Sequence, residues 1–126
     1  MKRFVMPFLL VLAVAAAVVL ATGRLPAPSG APSRTVVLTM RNYAYNDSNP
    51  TLTFYAGERV RFVLRNGEDT PVKHSFGIEG LGVPCGRDLL PGETRELIVT
   101  FWRPGEYAYV CCTHRGMGGR LIVRRR

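Results

Sequence analysis

From Thr35 onward the chain is divided into short β-type runs, and almost every run ends on glycine, proline, asparagine or aspartate. Thr35 to Met40 is rich in β-branched residues. Thr51 to Tyr55 follows the turn sequence Asn46-Asp47-Ser48-Asn49-Pro50 and closes at Ala56-Gly57. Val60, Phe62 and Leu64 alternate with Arg59, Arg61 and Arg65, and Asn66-Gly67 ends that run. Val72, His74, Phe76 and Ile78 alternate with Lys73, Ser75, Gly77 and Glu79. Arg95 to Phe101 lies between Pro91-Gly92 and Arg103-Pro104-Gly105, Tyr107, Tyr109 and Cys111 share one face, and Arg120 to Val123 makes a last run. A period of two punctuated by turn residues marks strands with one buried face. No helical period of any length interrupts the series, so seven or eight strands predict an all-β fold, an antiparallel β-sandwich.

The first 33 residues have a different character. Met1-Lys2-Arg3 is followed by an uncharged apolar stretch from Phe4 to Ala21, read as an N-terminal hydrophobic helix despite Pro7. Val19-Leu20-Ala21 suits a signal-peptidase site, while 18 apolar residues are also just enough to span a bilayer. Residues 1–23 are therefore a signal peptide or a membrane anchor, and both readings stay open. In either case the positive start directs the rest of the chain to the outer side of the membrane. Residues 24–33 form a Pro/Gly/Ser linker, extended and unpacked. Residues 34–126 are then the folded domain, large enough for one small core.

Without Lys2 and Arg3 the chain keeps 15 basic residues against nine acidic ones, a formal charge of +6. Alternation puts Arg59, Arg61 and Arg65 on one outward face, so most of this charge reads as ordinary solvated surface. The excess could also attract an acidic protein or an anionic lipid surface, with Arg124-Arg125-Arg126 its densest run. Nucleic acid is disfavoured because no binding motif accompanies the charge. Asp47, Glu68 and Asp69 fall in turn sequences and are expected to be solvated. Trp102 and Tyr109 are expected to pack inside the sandwich.

Chemistry concentrates near the C-terminus, where Cys111, His114 and Met117 come after the aromatic strand at Cys-x2-His-x2-Met spacing. His74, the only other histidine, falls on the apolar phase of its run, where a ring needs hydrogen bonds or a metal to satisfy both nitrogens. Two imidazoles, a thiolate and a weak thioether make a donor set suited to copper in both oxidation states. Zinc also takes cysteine and histidine, but closed structural zinc sites rarely include methionine. No Ser-His-Asp set, paired carboxylates or phosphate loop is visible, and no histidine is left for acid–base work, so the chain is not expected to be an enzyme or to bind a small-molecule substrate.

These residues resemble the cupredoxins, with a ligand loop similar to the short Cys-x2-His-x2-Met loop of amicyanin and pseudoazurin. The resemblance rests on His74-Ser75-Phe76, on the approach Pro104-Gly105-x-Tyr107-x-Tyr109-x-Cys111, and on the exit Met117-Gly118-Gly119-Arg120-Leu121-Ile122-Val123, and covers Thr35 to Val123. It implies a Greek-key sandwich holding one type 1 copper ion at His74, Cys111, His114 and Met117, with the Ser75 N–H on the Cys111 sulfur. It also implies electron transfer through the edge of His114. The docking patch would be formed by Leu81, Gly82, Val83, Gly116 and Met117, and Arg115 at its rim would favour redox partner proteins with an acidic docking face. A one-electron carrier, extracytoplasmic in location, is the first functional expectation; copper delivery or buffering, for example for an oxidase, is the alternative.

The segment from His74 to Gly92 is also similar to the dinuclear copper domain of cytochrome oxidase subunit II. That site needs two thiolates three residues apart, whereas Cys111 and Cys112 are adjacent. Cys85 lies in the Gly80–Gly86 loop that the family places at the copper end, and export permits disulfides. A Cys85–Cys112 bridge is therefore expected, with an additional metal ligand as the alternative role.

Overall fold

A computed structural model describes residues 30–126; the N-terminal hydrophobic helix and most of the linker lie outside the described residues. Eight strands succeed one another: β1 (Arg34–Arg41), β2 (Ala44–Tyr45), β3 (Leu52–Tyr55), β4 (Arg59–Asn66), β5 (Gly77–Glu79), β6 (Thr94–Thr100), β7 (Gly105–Val110) and β8 (Gly118–Arg124). They form two four-stranded sheets, ordered β2-β1-β4-β6 and β3-β8-β7-β5. The sandwich expected from the period of two is present. Two of its pairings, β1 with β4 and β3 with β8, run parallel, so both sheets are mixed rather than wholly antiparallel. Strand pattern cannot reveal this, because a period of two is the same whichever way the neighbour runs.

Alternation places the core as it should. In β4, Val60, Phe62 and Leu64 are fully buried, while Arg59 and Arg61 are half-buried and Arg65 is exposed. Leu38 and Met40 of β1, Phe54 of β3, Tyr109 of β7 and Leu121 and Val123 of β8 meet them from both sheets. Aromatic rings fill the middle: Phe54 stacks on Phe101 at 4.7 Å, and Tyr45 meets Tyr109 edge-on at 5.1 Å.

Three segments depart from the sequence reading. Val72 to Ile78 is not one strand; only Gly77–Glu79 is, paired with β7. His74 instead makes a single antiparallel bridge to Leu89, because the chain here leaves one sheet and joins the other. The buried Asn66 amide at the end of β4 takes over from a ladder, donating to the carbonyls of Val72 and Leu89 at 2.8 and 2.9 Å. The two-residue strand β2 was not legible at all. It returns from β1 through Asn42-Tyr43, both left-handed, at φ 51° and 59°. Finally Trp102, expected inside, is 73% exposed, while Phe101 beside it is fully buried.

Candidate metal centre

His74, Cys111 and His114 converge at one end of the sandwich, with one donor atom from each lying within 4.8 Å of the others. The two parts of the chain that bring them together are held independently. The His74–Ser75 backbone is bonded to Leu89, and the Tyr45 hydroxyl donates to the carbonyls of Ser75 and Val110, clamping this segment to the end of β7. The loop Cys111–Met117 is closed by its own backbone: Cys111 N–H donates to the Met117 carbonyl at 3.0 Å, and Met117 N–H to the His114 carbonyl at 3.2 Å.

Each imidazole has one nitrogen already committed. His74 is fully buried, and its Nε2–H donates to Glu68 Oε1 at 2.9 Å. The Nδ1 lone pair is then turned elsewhere, and that atom is buried with no hydrogen-bond partner among the described residues. His114 is half-exposed, and its Nε2–H donates to the Lys73 carbonyl at 2.8 Å. A carbonyl can only accept, so this ring too keeps its proton on Nε2. A ring nitrogen buried without a partner is costly in a fold that satisfies nearly all its polar atoms. Beside a thiol and a second imidazole, it is the arrangement a metal would complete.

The sulfur is prepared as an anion. Burial pushes the Cys111 thiol up. The Thr113 hydroxyl at 3.1 Å, the Ser75 N–H at 3.4 Å and the Ser75 hydroxyl at 3.7 Å outweigh that and pull it down to about 6. The Ser75 N–H contact is the one the family resemblance implied. Ser75 Oγ also accepts from Cys112 N–H at 2.8 Å, so its own proton is free to face the sulfur. Met117 is buried and belongs to the hydrophobic cluster that includes Cys111. Soft thiolate and thioether with two imidazoles fit copper.

Cys85 and Cys112 are joined by a disulfide with Cα atoms 6.2 Å apart, and Cys111 is the free cysteine. The bridge pins the loop before β6 to the residue next to Cys111, and it leaves no second thiolate for a dinuclear centre among the described residues. It also rules out the alternative use of either cysteine as an additional ligand.

Two residues escaped the sequence reading. Glu68, expected in solvent, has a side chain only 7% exposed, and its Oε1 also accepts the Asn42 N–H at 2.7 Å. Its hydrogen bond to His74 holds the carboxyl below the usual range, against a smaller opposing push from burial. No local signal singled it out, since Asn66-Gly67-Glu68-Asp69 reads as any turn. Tyr43, 58% exposed, lays its ring edge-on against His114 at 4.8 Å and against His74 at 6.3 Å. It covers the imidazoles from the β1–β2 turn. Met117, counted among the docking-patch residues, is too deeply buried to present a surface.

Residues 10–123 match the cupredoxin-like domain family. Amicyanin of Paracoccus versutus is 31% identical over 97 residues, covering 77% of this chain and 70% of that protein. Cytochrome c oxidase subunit 2 of Thermus thermophilus is 36% identical over 58 residues, 42% of each chain, so this chain spans less than half of that relative's length. Among solved structures, auracyanin B superposes with a TM-score of 0.61 at 21% identity, over 75% of this chain and 91% of that one. The copper nitrite reductase of Nitrosomonas europaea does so with a TM-score of 0.64 at 20% identity, over 76% and 42%. At those identities the structural likeness speaks for the fold. The family match and the amicyanin alignment, taken with a sandwich that gathers His74, Cys111 and His114 at one end, place the chain in the cupredoxin-like family.

Proposed function

We propose that the chain is an extracytoplasmic one-electron carrier that holds a single type 1 copper ion with His74, Cys111 and His114, and with Met117 as a weak fourth donor. The observation that carries this reading is the buried, unpartnered Nδ1 of His74 within reach of a thiol already drawn toward its anionic form. Copper bound there supplies a one-electron couple. The protein's own part is to keep the donors still: Glu68 and the Lys73 carbonyl fix both ring tautomers, Ser75 and Thr113 stabilise the thiolate, and the disulfide restrains the loop. Donors that do not rearrange between oxidation states favour rapid electron transfer.

Copper delivery is the weaker reading, because His74 and Cys111 are buried and a handover site needs accessible donors. Catalysis is not proposed, since both histidines are engaged in the cluster. The half-exposed His114 is the natural point of electron exchange, with Tyr43 against it and the exposed Arg115 next to it. An acidic partner would be drawn there, and its encounter rate should fall as ionic strength rises. Low-affinity, small-area contacts suit such exchange.

The test is to load the full chain with one equivalent of Cu(II) and record optical and EPR spectra. The expected result is an intense visible thiolate-to-copper band that bleaches reversibly with reductant and is absent from Cys111→Ala. Copper binding with no such band, or a band that survives in Cys111→Ala, would overturn the assignment.

A further inference from the structure

Two long strands define the ends of the sandwich. β1 begins at Arg34 beside Val60 and finishes in the turn over the imidazoles, whereas β7 begins at Gly105 beside Val123 and finishes one residue before Cys111. Eight residues of β1 thus separate the metal centre from an opposite pole, a distance of roughly 26 Å at about 3.3 Å per strand residue. That pole is built from Ser33, Ala56–Arg59, Phe101–Arg103 and the end of β8. Its backbone is well tied: Ser33 N–H donates to Arg59, Ala56 N–H to Arg124 and Gly57 N–H to Phe101, at 2.8, 2.8 and 2.6 Å. Gly30, Ala31, Ser33, Arg59, Trp102 and Arg126 line a shallow depression there.

Three independent features of this pole need a common explanation. First, Trp102 is 73% exposed, whereas tryptophan is among the more buried residue types on average. Secondly, Arg59, Arg103, Arg124, Arg125 and Arg126 take part in no ion pair among the described residues. The nearby acids are already used, Glu58 by Arg34 and Glu106 by Arg120, each at 2.7 Å. Thirdly, the linker joins the fold here, and about a dozen residues earlier in sequence lies the apolar stretch Phe4–Ala21. Retained as an anchor, that stretch keeps the pole within roughly 40 Å of the bilayer, at about 3.1 Å per linker residue; removed as a signal peptide, it leaves the contact to Trp102 and the arginines. An indole among uncompensated guanidinium groups suits the boundary of an anionic bilayer, where tryptophan is enriched and arginine is attracted.

We propose that the pole carrying Trp102, Arg59, Arg103 and Arg124–Arg126 rests on an anionic phospholipid headgroup surface, so that the metal end points away from the membrane. The proposal does not depend on the identity of the metal. It gives the exposed indole, the unpaired arginines and the entry point of the linker a single occupant, which a soluble partner would not.

Trp102 is the only tryptophan in the chain, so its fluorescence reports on this pole alone. The metal-free full chain is placed in vesicles of phosphatidylcholine, with or without phosphatidylglycerol, and with brominated acyl chains as a quencher. The expected result is a shift of emission to shorter wavelength, with quenching, only when phosphatidylglycerol is present. High salt should reverse it, and the triple variant Arg124→Gln, Arg125→Gln, Arg126→Gln should need roughly tenfold or more anionic lipid for the same response. Identical emission in the two lipid compositions would overturn the proposal, as would a triple variant that behaves like the parent. So would an indole that is shielded only when an acidic soluble protein is added, an outcome that would assign the pole to a protein partner. Failure of the copper reading would appear separately, in the visible spectrum of a copper-loaded sample.

Discussion

His74 and His114 present the same kind of ring to the same cluster, yet a nearly buried carboxylate holds one and a main-chain carbonyl holds the other. The first ring is fully enclosed and reached through side chains: Glu68 behind it, Asn66 organising the backbone around it. The second sits half-exposed on a loop closed by backbone bonds and by the disulfide at Cys112. The difference separates two jobs. A carboxylate adds a negative charge, so in the proposed copper site the deep half would govern which oxidation state is favoured. A carbonyl adds only direction, so the shallow half would govern access.

The sharpest way to strain this division is to release the loop half alone. Replacing Cys85 and Cys112 by serine removes a link across a sequence separation of 27. The metal-free protein should lose about 3–4 kcal/mol in urea unfolding, from the loop-closure entropy returned to the unfolded chain. A smaller loss would mean that the unfolded chain without the bridge already stays compact across this loop.

Next in size is the deep half. Glu68→Ala leaves the buried His74 Nε2–H unsatisfied and should weaken copper binding about 10–100-fold in a competition titration. Glu68→Gln keeps an acceptor but removes the charge that favours Cu(II). The reduction potential should rise by about 59 mV if the Cu(I)/Cu(II) preference changes about tenfold. Lys73→Ala leaves the carbonyl under His114 in place and removes only an exposed, solvent-screened positive charge, so it should lower the potential and by much less. Shifts of equal size from Glu68→Gln and Lys73→Ala would erase the distinction between the two anchors.

A smaller effect concerns the sulfur between them. Cys111 is drawn down to about 6, whereas a free cysteine titrates near roughly 8.5. A depressed folded value means that the metal-free fold is favoured by the thiolate at high pH. The contribution is fully present above the unfolded value, amounts to about 1 kcal/mol near pH 7, and is lost as pH falls through about 6. The ultraviolet absorbance of the thiolate should show that midpoint in the metal-free protein, and Thr113→Val should raise it. The smallest change is expected at the turn over the imidazoles. Asn42 and Tyr43 are both left-handed in a two-residue hairpin, which asparagine–glycine fits best. Tyr43→Gly should stabilise the fold by up to about 1 kcal/mol in urea unfolding, while uncovering His114.

The loop half of the site was readable in the chain because Cys111, His114 and Met117 are sequence neighbours, and their spacing is itself the signal. His74 stood out only as one of two histidines on an apolar phase. Glu68 could not be read, because its role depends on a chain reversal that brings it six residues back onto the ring. Strand positions came from alternation, as Val60, Phe62 and Leu64 show, but the parallel course of β1 along β4 did not, since pairing direction leaves no trace in a single strand. Trp102 was misplaced for a related reason: the buried Phe101 beside it takes the inward phase, and aromatic character alone does not say which of two neighbours turns in.

One last feature bears on how freely this centre can be altered. Where β8 leaves the loop, a side-chain carbon on Gly118 would collide with the main-chain oxygen of Tyr109, and one on Gly119 would meet the Tyr109 ring and the Asn49 carbonyl. Tyr109 is itself held by its hydroxyl on the Pro50 carbonyl and cannot step aside. Of the non-glycine residues between Cys111 and Met117, only the exposed Arg115 lies outside the disulfide, the sulfur contacts and the cluster, and it therefore tolerates exchange far better than the two positions immediately after Met117. A transplanted loop of another length should be grafted ahead of this glycine pair and never through it.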